Sequence, residues 1–600
     1  MLTPPQVHDV KDASPVLLQV IARAVAEDPQ IAIDTEGVYF QNEAGTFESW
    51  SGQAEVVTYA LSSQPGRAFF SRAHDDAGVT LRRALKARTL PTGAHGWKHD
   101  RWAVSTAGAR PDSLVAMWLL GRRASKGYGL KALMADRGFL MEDFDGARFL
   151  LGGVDERLGA MRAACDDPDF RRYAAEDAWA CLQLAQEAES ALADEEERLR
   201  RWFWEVETPF VDVLACMERR GLALDAVAIS RMGAERRAEA ERLAWDWTLR
   251  WPEVEIGSAK QVSEHFYGGG LWDRGGVPAG KSGQLSVDEG AMAKVLRGEI
   301  TTQEGLDAAN MRLAWQEAKG DATKYCDKLV AFARGSSDGR IHASYLQHGT
   351  GTGRLSCAEP PIQQIPTRSA FGKRLRAAFV AGEGREVVAG DFSQIELRVL
   401  AHFAGKGALF DAYREGADIH QRTADLIGCS RAQAKIVNFA KVYGAGPRKL
   451  AEQMGCEYLE ARAFMREYER RYPDAVAVVL RAVEAARARG RVRTISGRFR
   501  PLPNMLHDDP ALRGAEERKA GNTPIQGSAG DICKVAMLAA HRAGLPLVGQ
   551  VHDEILLDVA ASEAEDAREG LKRAMEGAWA LKVPLVAEVG RGPSWGEAKH

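Results

Sequence analysis

Paired cysteines, long apolar runs and an excess of either charge are all missing from this chain, and each absence excludes something. The eight cysteines are scattered, with no Cys-x-x-Cys pair. That argues against a zinc ribbon and against a disulfide framework, and it fits a reducing compartment. No apolar run approaches the ~20 residues a membrane span needs, and Met1–Pro15 has no apolar core for a signal peptide. The 79 basic and 83 acidic residues leave a formal net charge of -4. No global field therefore draws a polyanion, and any such site must come from local segregation of charge. Arg487–Arg500 is one segregated stretch, with six arginines and no acid. By itself a run of this kind reads more readily as a solvated face than as a phosphate site.

What is present points to several domains. A chain of 600 residues is too long for one core, so two to four domains are expected. Residues 1 to about 190 alternate short apolar strands with helical patterns, an α/β signature. The charge-dense Ala191–Arg201 stretch reads as a helix leading out of that region. Asp225 to about Trp251 reads as a long amphipathic helix. Gly268–Gly283 is glycine-rich and reads as a loop, and helical patterning resumes from Val287 to about Val330. Strand signals return at Ile341–Tyr345, Glu386–Gly390 and Leu545–Val559, with a mainly helical stretch from Phe403 to Ala488 between them.

The most informative residues are Val551-His-Asp-Glu554. They separate two apolar runs, Leu545–Val551 and Ile555–Val559, which predicts a β-hairpin with its acids at the turn. Repulsion and desolvation make adjacent carboxylates at such a tip unfavourable unless a cation sits there. Asp391 stands upstream where the apolar strand Glu386–Gly390 runs into a helix. Two carboxylates far apart in sequence, both projecting from strand ends, point to one bound pair of divalent metals.

Ser430-Arg-Ala-Gln433 is a Ser-x-x-Gln capping box, which predicts a helix starting at Arg431, ended by Gly444, Gly446 and Pro447. Arg431, Lys435, Phe439 and Tyr443 recur along it at a four-residue step. Each step drifts only ~40°, so the four form one slowly winding ridge. An anion would reverse the repulsion between two cations at i and i+4, so the ridge suits a triphosphate followed by a base. On spacing alone the simpler reading is an amphipathic helix with Phe439 and Tyr443 in the core. Likewise Ser393-x-x-Glu396 reads locally as a capping box at a helix start.

Two further patterns lie outside this set. Ile31–Glu36 is a short strand whose period of two puts Asp34 and Glu36 on one face, by itself a solvent-facing edge. Tyr173-x3-Asp177 lies in a helical pattern, so ring and carboxylate share a face. Gly275-x4-Gly280-Lys281-Ser282 satisfies the nucleotide P-loop pattern, but no buried strand precedes it and no helix starts at its lysine, so it reads as a loop.

Six ordered blocks together resemble the family A DNA polymerases, the DNA polymerase I (Klenow-like) group, bacterial or phage-encoded. They are Thr350-Gly-Thr-Gly-Arg-Leu-Ser356 with Gln363–Pro366, then Asp391–Arg398, Arg431–Gly444, Gly490–Pro503, Arg518-x3-Asn522-x3-Gln526-Gly527, and Val551–Glu554. The resemblance runs from about residue 30 to the C-terminus. It implies an α/β and α+β multidomain chain, in which an RNase H-like 3′–5′ exonuclease domain over 1–195 precedes a right-hand polymerase over 196–600. Within the latter it implies a thumb at about 225–335, a palm at about 336–402 and 500–600, and fingers at about 403–499. No room for a 5′-nuclease domain is expected before residue 30.

The same resemblance implies roles residue by residue. Asp391 and Asp553, with the Phe392 carbonyl, would hold two Mg²⁺ ions (Mn²⁺ as a substitute), and Glu554 would support them. Gln394, His420, Arg431, Lys435, Phe439 and Tyr443 would bind the incoming dNTP, and Glu396 would crowd its 2′-carbon and reject ribose. Arg354, Arg518, Asn522, Gln526 and His552 would line the primer-template DNA. Asp34, Glu36, Asp100 and Asp177, which look like the acids of the DEDD exonuclease group, would bind a second metal pair, with Tyr173 orienting the attacking water. One departure is Gly96, where bacterial relatives usually carry Asn. The implied location is the cytoplasm of a bacterial or phage-infected cell, with no membrane partner; no motif names an accessory processivity factor. A single-subunit RNA polymerase would share the palm acids, but Glu396 and the exonuclease acids oppose it. A nuclease with an idle polymerase half is opposed by the complete set of polymerase carboxylates.

Overall fold

The structure is a computed structural model. It describes residues 6–9, 19, 31–38, 55–64, 67–73, 75, 79–80, 83–85, 92–93, 112–141, 160–272, 277, 279, 283–296, 302–367 and 369–598. Among them the first five strands are β1 (Gln6–Asp9), β2 (Ile31–Val38), β3 (Glu55–Gln64), β4 (Arg67–Arg72) and β5 (Thr92–Gly93). They form one mixed sheet in the order β1-β4-β3-β2-β5, with β3 antiparallel to both of its neighbours. The long helix Pro168–Ala193 packs on β2, β3 and β4. Its start is set by Asp167, whose carboxylate accepts from the Asp169 amide, and by Pro168 in its first turn. The α/β pattern read for this region is therefore present. The expected helix over Ala191–Arg201 is not continuous. The chain stops at Ala193, turns through Asp194–Glu196, and starts a new helix at Glu197. Four consecutive acids, Asp194–Glu197, crowd the break, while Leu192 and Leu199 on either side of it are buried in one core.

The remaining strands are β6 (Ser344–Leu346), β7 (Ser356–Ala358), β8 (Arg385–Phe392), β9 (Arg491–Arg493), β10 (Phe499–Pro501), β11 (Leu547–Val551), β12 (Glu554–Ala560) and β13 (Ala587–Gly592). β6–β7 and β9–β10 are small antiparallel pairs. The sheet that matters is antiparallel, in the order β11-β12-β8-β13. β8 and β12 are near-continuous apolar strands because helices cover this sheet. Helix Ala564–Glu576 lies on β8 and β13. It comes so close that a Cβ on Gly390 would meet Met575 Sδ at 2.7 Å and Leu571 Cδ2 at 2.9 Å, so only glycine fits there.

The expected helix from Asp225 is found as Ala226–Arg250, with Asp225 accepting from the Ala228 amide. Helices Glu289–Val295, Gln303–Gly320 and Asp327–Gly335 follow. Of the P-loop-like segment, residues 275, 276, 278 and 280–282 lie outside the described residues; Ala279 bridges to Leu285. From Ile395 to Arg489 the chain is a run of helices. Helix Pro510–Arg542 then crosses behind the carboxylate sheet, and no helix among the described residues is long and apolar enough to cross a membrane.

The arginine run is mixed: Arg487 and Arg489 are exposed, and the others are partly or fully covered. Arg487 pairs with Glu517 and Arg493 with Glu196, Arg491 lies over the Phe499 ring, and Arg500 donates to Thr523. Arg498 is buried on Asp531. Arg487, Arg493 and Arg498 thus meet acids from distant segments, Glu517, Glu196 and Asp531, that sequence order does not reveal.

Candidate active site

The hairpin forms as predicted. Val551 pairs with Glu554, so the turn is His552–Asp553, and His552 takes φ +58. Gln394, at the other strand end, takes φ +54. Left-handed backbone at a non-glycine residue is uncommon and clusters at functional sites. The Phe392 amide donates to the Asp553 carbonyl at 3.3 Å, which ties the two strand ends together. In register, β8 places Asp391 between Glu554 of β12 and Glu588 of β13.

A cavity of about 1770 Å³ opens over these strand ends. Asp391, Phe392, Gln394, Glu396, His552 and Asp553 line its floor. His420, Arg431, Lys435, Phe439 and Tyr443 line one wall, and Arg518 with Asn522 line another. Asp391 and Asp553, 162 positions apart, thus share one space. Arg354 and Gln526 do not reach that lining. Arg354 lies beneath it, and Gln526 accepts from Asn522 Nδ2 at 3.2 Å. Glu554 is buried behind the floor, 3.6 Å from Arg376, whose guanidinium lies over the Trp595 ring at 4.2 Å.

The capping box predicted at Ser393 does not form. Gln394 is the residue before the helix Ile395–Ala404, and the Ser393 amide donates instead to Val586. The left-handed turn at Gln394 swings the chain so that Glu396 faces the cavity, where Arg354 Nη2 donates to its Oε1 at 2.7 Å. The same nitrogen donates to Asp553 Oδ1 at 2.9 Å and Oδ2 at 3.2 Å. One guanidinium thus serves two carboxylates. Burial works against the Arg354 charge, but Asp553 and Glu396 outweigh it and hold its pKa above the ordinary value. Glu396 is pushed upward, first by burial and also by Asp553, because its counterion is shared. Its Oε2, with Arg354 Nε and Asn522 Oδ1, is buried without a hydrogen-bond partner.

The Ser430–Gln433 capping box is present, and the helix runs Arg431–Val442. Its buried residues are Ala434, Val437, Asn438, Ala440 and Val442, so Phe439 and Tyr443 are not core residues. The ridge faces the cavity. Phe439 and Tyr443 stack at 6.3 Å and 19°. Burial, then Glu396 nearby, raises the Tyr443 phenol and keeps it protonated. Arg431 pairs with Asp418 at 2.8 Å on an exposed surface, where such a pair is weak. Lys435 has no carboxylate within ion-pair distance among the described residues. His420 is buried, and burial with Lys435 and Arg431 pulls it down to about 4 against the opposing pull of Asp418, so it faces the cavity as a neutral ring.

Among the described residues no three His, Cys, Asp or Glu side chains are grouped so as to hold an ion. Asp391 and Asp553, which both line the cavity, offer carboxylate oxygens of the kind Mg²⁺ takes. That ion takes hard oxygens and is commonly held by one or two carboxylates, completing its shell with water and substrate phosphates. Sequence reading missed Arg376 and Glu588. Glu588 carries a signal, since it is the one acid inside an alternating apolar strand; Arg376 carries none.

The profile of DNA polymerase family A matches residues 228–597. The chain belongs to that family. It is 38% identical to DNA polymerase I of Pseudomonas aeruginosa over 94% of this chain and 64% of that protein. It is 37% identical to the thermostable DNA polymerase I of Thermus filiformis over 75% of this chain and 53% of that one. The chain thus spans less than two thirds of the length of these relatives. The fold is similar to that of the POL domain of Pol1 from M. smegmatis, solved in complex with DNA primer-template and dNTP: TM-score 0.81, 26% identity, 99% of this chain and 100% of that one. The matched range contains the blocks from Thr350 to Glu554.

The family A profile begins at residue 228, so the amino-terminal acids lie before it. Asp34 and Glu36 fall on β2, whose side chains lie outside the described residues, as does all of Asp100 and Gly96. Tyr173 and Asp177 share the helix that packs on β2. Lys131 Nζ lies over the Tyr173 ring at 4.7 Å, and Asp177 is buried.

Proposed function

We propose that this chain is a DNA-directed DNA polymerase, extending a primer 3′ end with dNTPs along a template. The observation that carries this reading is the meeting of two strand-end aspartates and the Arg431–Tyr443 ridge in one cavity. Asp391, Asp553 and the Phe392 carbonyl would hold two Mg²⁺ ions, whose charge would activate the primer hydroxyl and stabilise the leaving pyrophosphate. The chain's own residues orient the reactants. Lys435 neutralises the triphosphate, Arg431 exchanges Asp418 for a phosphate oxygen, and neutral His420 donates a hydrogen bond. Phe439 and Tyr443 receive the sugar and base. Glu396 fills the space a ribose hydroxyl would need, with Gln394 fixed by Tyr413, whose hydroxyl donates to Gln394 Oε1 at 2.8 Å. Arg518, Asn522 and His552 contact the primer-template, Gln526 steadies Asn522 from beside the lining, Arg354 holds Asp553 and Glu396 from beneath it, and Glu554, on Arg376, supports the floor.

In this reading 196–600 is the right-hand polymerase, with thumb 225–335, palm 336–402 and 500–600, and fingers 403–499. Residues 1–195 are the RNase H-like 3′–5′ exonuclease, with Asp34, Glu36, Asp100 and Asp177 as metal ligands and Tyr173 orienting water. The packing of the Tyr173–Asp177 helix on β2 supports this second site. The cytoplasm of a bacterial or phage-infected cell is its place of action. A primed template with Mg²⁺, with and without dNTPs, tests both activities. Asp34→Ala is expected to remove 3′ degradation and spare synthesis, and loss of both activities would overturn the two-site reading.

A further inference from the structure

Asn438 sits on the buried face of the Arg431–Val442 helix, away from the ridge, and is 0% exposed. Its amide reaches the neighbouring helix Ile419–Ile427. Asn438 Nδ2 lies 3.0 Å from His420 Nδ1, and Thr423 Oγ1 lies 3.3 Å from Asn438 Oδ1. Thr423 Oγ1 also stands 2.9 Å from the Tyr472 hydroxyl. All four side chains are buried, so this chain of polar groups must satisfy itself internally.

Distances alone fit two directions of donation; the proton count separates them. In one, Tyr472 donates to Thr423, Thr423 donates to Asn438 Oδ1, and Asn438 Nδ2 donates to His420 Nδ1. Every donor in the chain then has an acceptor, and the ring proton is left on Nε2. In the other, the Asn438 amide is turned over, so that His420 Nδ1 donates to Asn438 Oδ1, Asn438 Nδ2 donates to Thr423, and Thr423 donates to Tyr472. The Tyr472 proton then has no acceptor among the described residues, at a cost of about 1–3 kcal/mol for a buried group. A bare Nε2 lone pair would also face the cavity, where it would repel a phosphate oxygen.

We infer that Asn438 is a positioning residue that holds His420 in the tautomer with its proton on Nε2, the nitrogen presented to the incoming triphosphate. The inference rests on reading this cavity as the dNTP site. The charged groups around the ring agree with it. Lys435 and Arg431 on the Asn438 helix oppose a charged imidazole, Asp418 at the head of the His420 helix favours one, and the balance with burial leaves the ring neutral at pH 7. Phe439 packs at 5.9 Å and adds no charge. For a neutral ring, the tautomer alone decides whether it donates or repels.

Asn438→Asp reverses the local rule, because a carboxylate accepts from Nδ1 and favours the doubly protonated ring. The full chain labelled with ¹⁵N-histidine is compared with N438D and with N438L, the His420 signals being assigned from H420Q. The wild type is expected to show the Nε2-protonated neutral ring and a dNTP KM that is flat from pH 6 to 8. In N438D the ring is expected to titrate within that range, with KM rising as pH rises, because the proton lost is the one on Nε2; kcat changes less than KM. N438L is expected to show mixed tautomers and a raised, pH-independent KM. An Nδ1-protonated ring in the wild type, or a flat KM profile in N438D, would overturn the inference. A wild type that extends no primer would instead overturn the polymerase reading, while the ring nitrogens still report the tautomer.

Discussion

Arg498 and Arg354 hold the same short loop, Thr350–Arg354, in opposite ways. Arg498 Nη2 donates to the Thr352 carbonyl and, at 3.3 Å, to the Gly527 carbonyl, while Nε and Nη2 bind Asp531 Oδ1 at 3.1 and 2.9 Å. Gly353 has no side chain because a Cβ there would meet Arg498 Cζ at 2.4 Å. Beside it, Lys534 binds both oxygens of Glu207 at 2.8 and 2.9 Å, with Gln347 and Trp202 donating to the same carboxylate, and Trp118 covers both cations. Each charge there has its own counterion and no hydrogen-bonding atom is left over. Arg354, by contrast, divides one nitrogen between two acids and leaves its Nε and Glu396 Oε2 unpaired. Matched, complete burial of charge fixes one geometry. A mismatched set carries a cost of about 1–3 kcal/mol per orphaned group, which a ligand can recover. The difference marks which buried charges are scaffold and which are site.

The sharpest break of this contrast is Asp553→Asn. Primer extension is expected to vanish while primer-template binding and folding persist, as read by extension and DNA-binding assays; near wild-type extension would place the chemistry elsewhere. Next is the scaffold side. Glu207→Ala strands Lys534 in the core and is expected to cost about 3–5 kcal/mol in denaturant unfolding, whereas Glu396→Ala should cost far less, since Glu396 is an incompletely paired acid. A third effect belongs to Glu396→Ala alone, which is expected to admit ribonucleotides in single-nucleotide incorporation. Unchanged sugar selection would remove it from that role.

A smaller effect concerns pH. His420 has its pKa lowered on folding, to about 4 from 6.5, so the unfolded chain binds a proton that the folded chain refuses between those values. Its contribution to stability is complete above pH 6.5 and is lost as pH falls toward 4. H420Q is expected to flatten that part of the melting-temperature profile, and an unchanged slope would mean that another group sets it. Smallest of all is Arg201→Ala, which removes an exposed pair with Glu205 and is expected to leave the melting temperature unchanged.

The local elements were legible wherever one short stretch decides them. The Val551–Glu554 turn, the Ser430 capping box and the Asp225 helix start each depend on a few neighbouring residues, and each formed as read. The failures share one cause. Ser393-x-x-Glu396 has the letters of a capping box, but the left-handed turn at Gln394 and the pull of Arg354 recruit Glu396 elsewhere. Phe439 and Tyr443 have the spacing of core residues, but helix Ile419–Ile427 covers the other face. Ala191–Arg201 has helical letters, but four consecutive acids, Asp194–Glu197, stand where the helix breaks.

The sequence alone determined which residue types stand at the strand ends, where the helices begin, and the order of blocks that marks the family, because these are set by neighbours a few bonds away. Only the tertiary structure decided that Arg354 is shared by Asp553 and Glu396, that Arg376 stands behind Glu554, and that Asn438 meets His420. Those partnerships join chain segments 18 to 199 residues apart, and a charge or a ring proton is fixed by whatever the packed interior brings within a few ångströms of it.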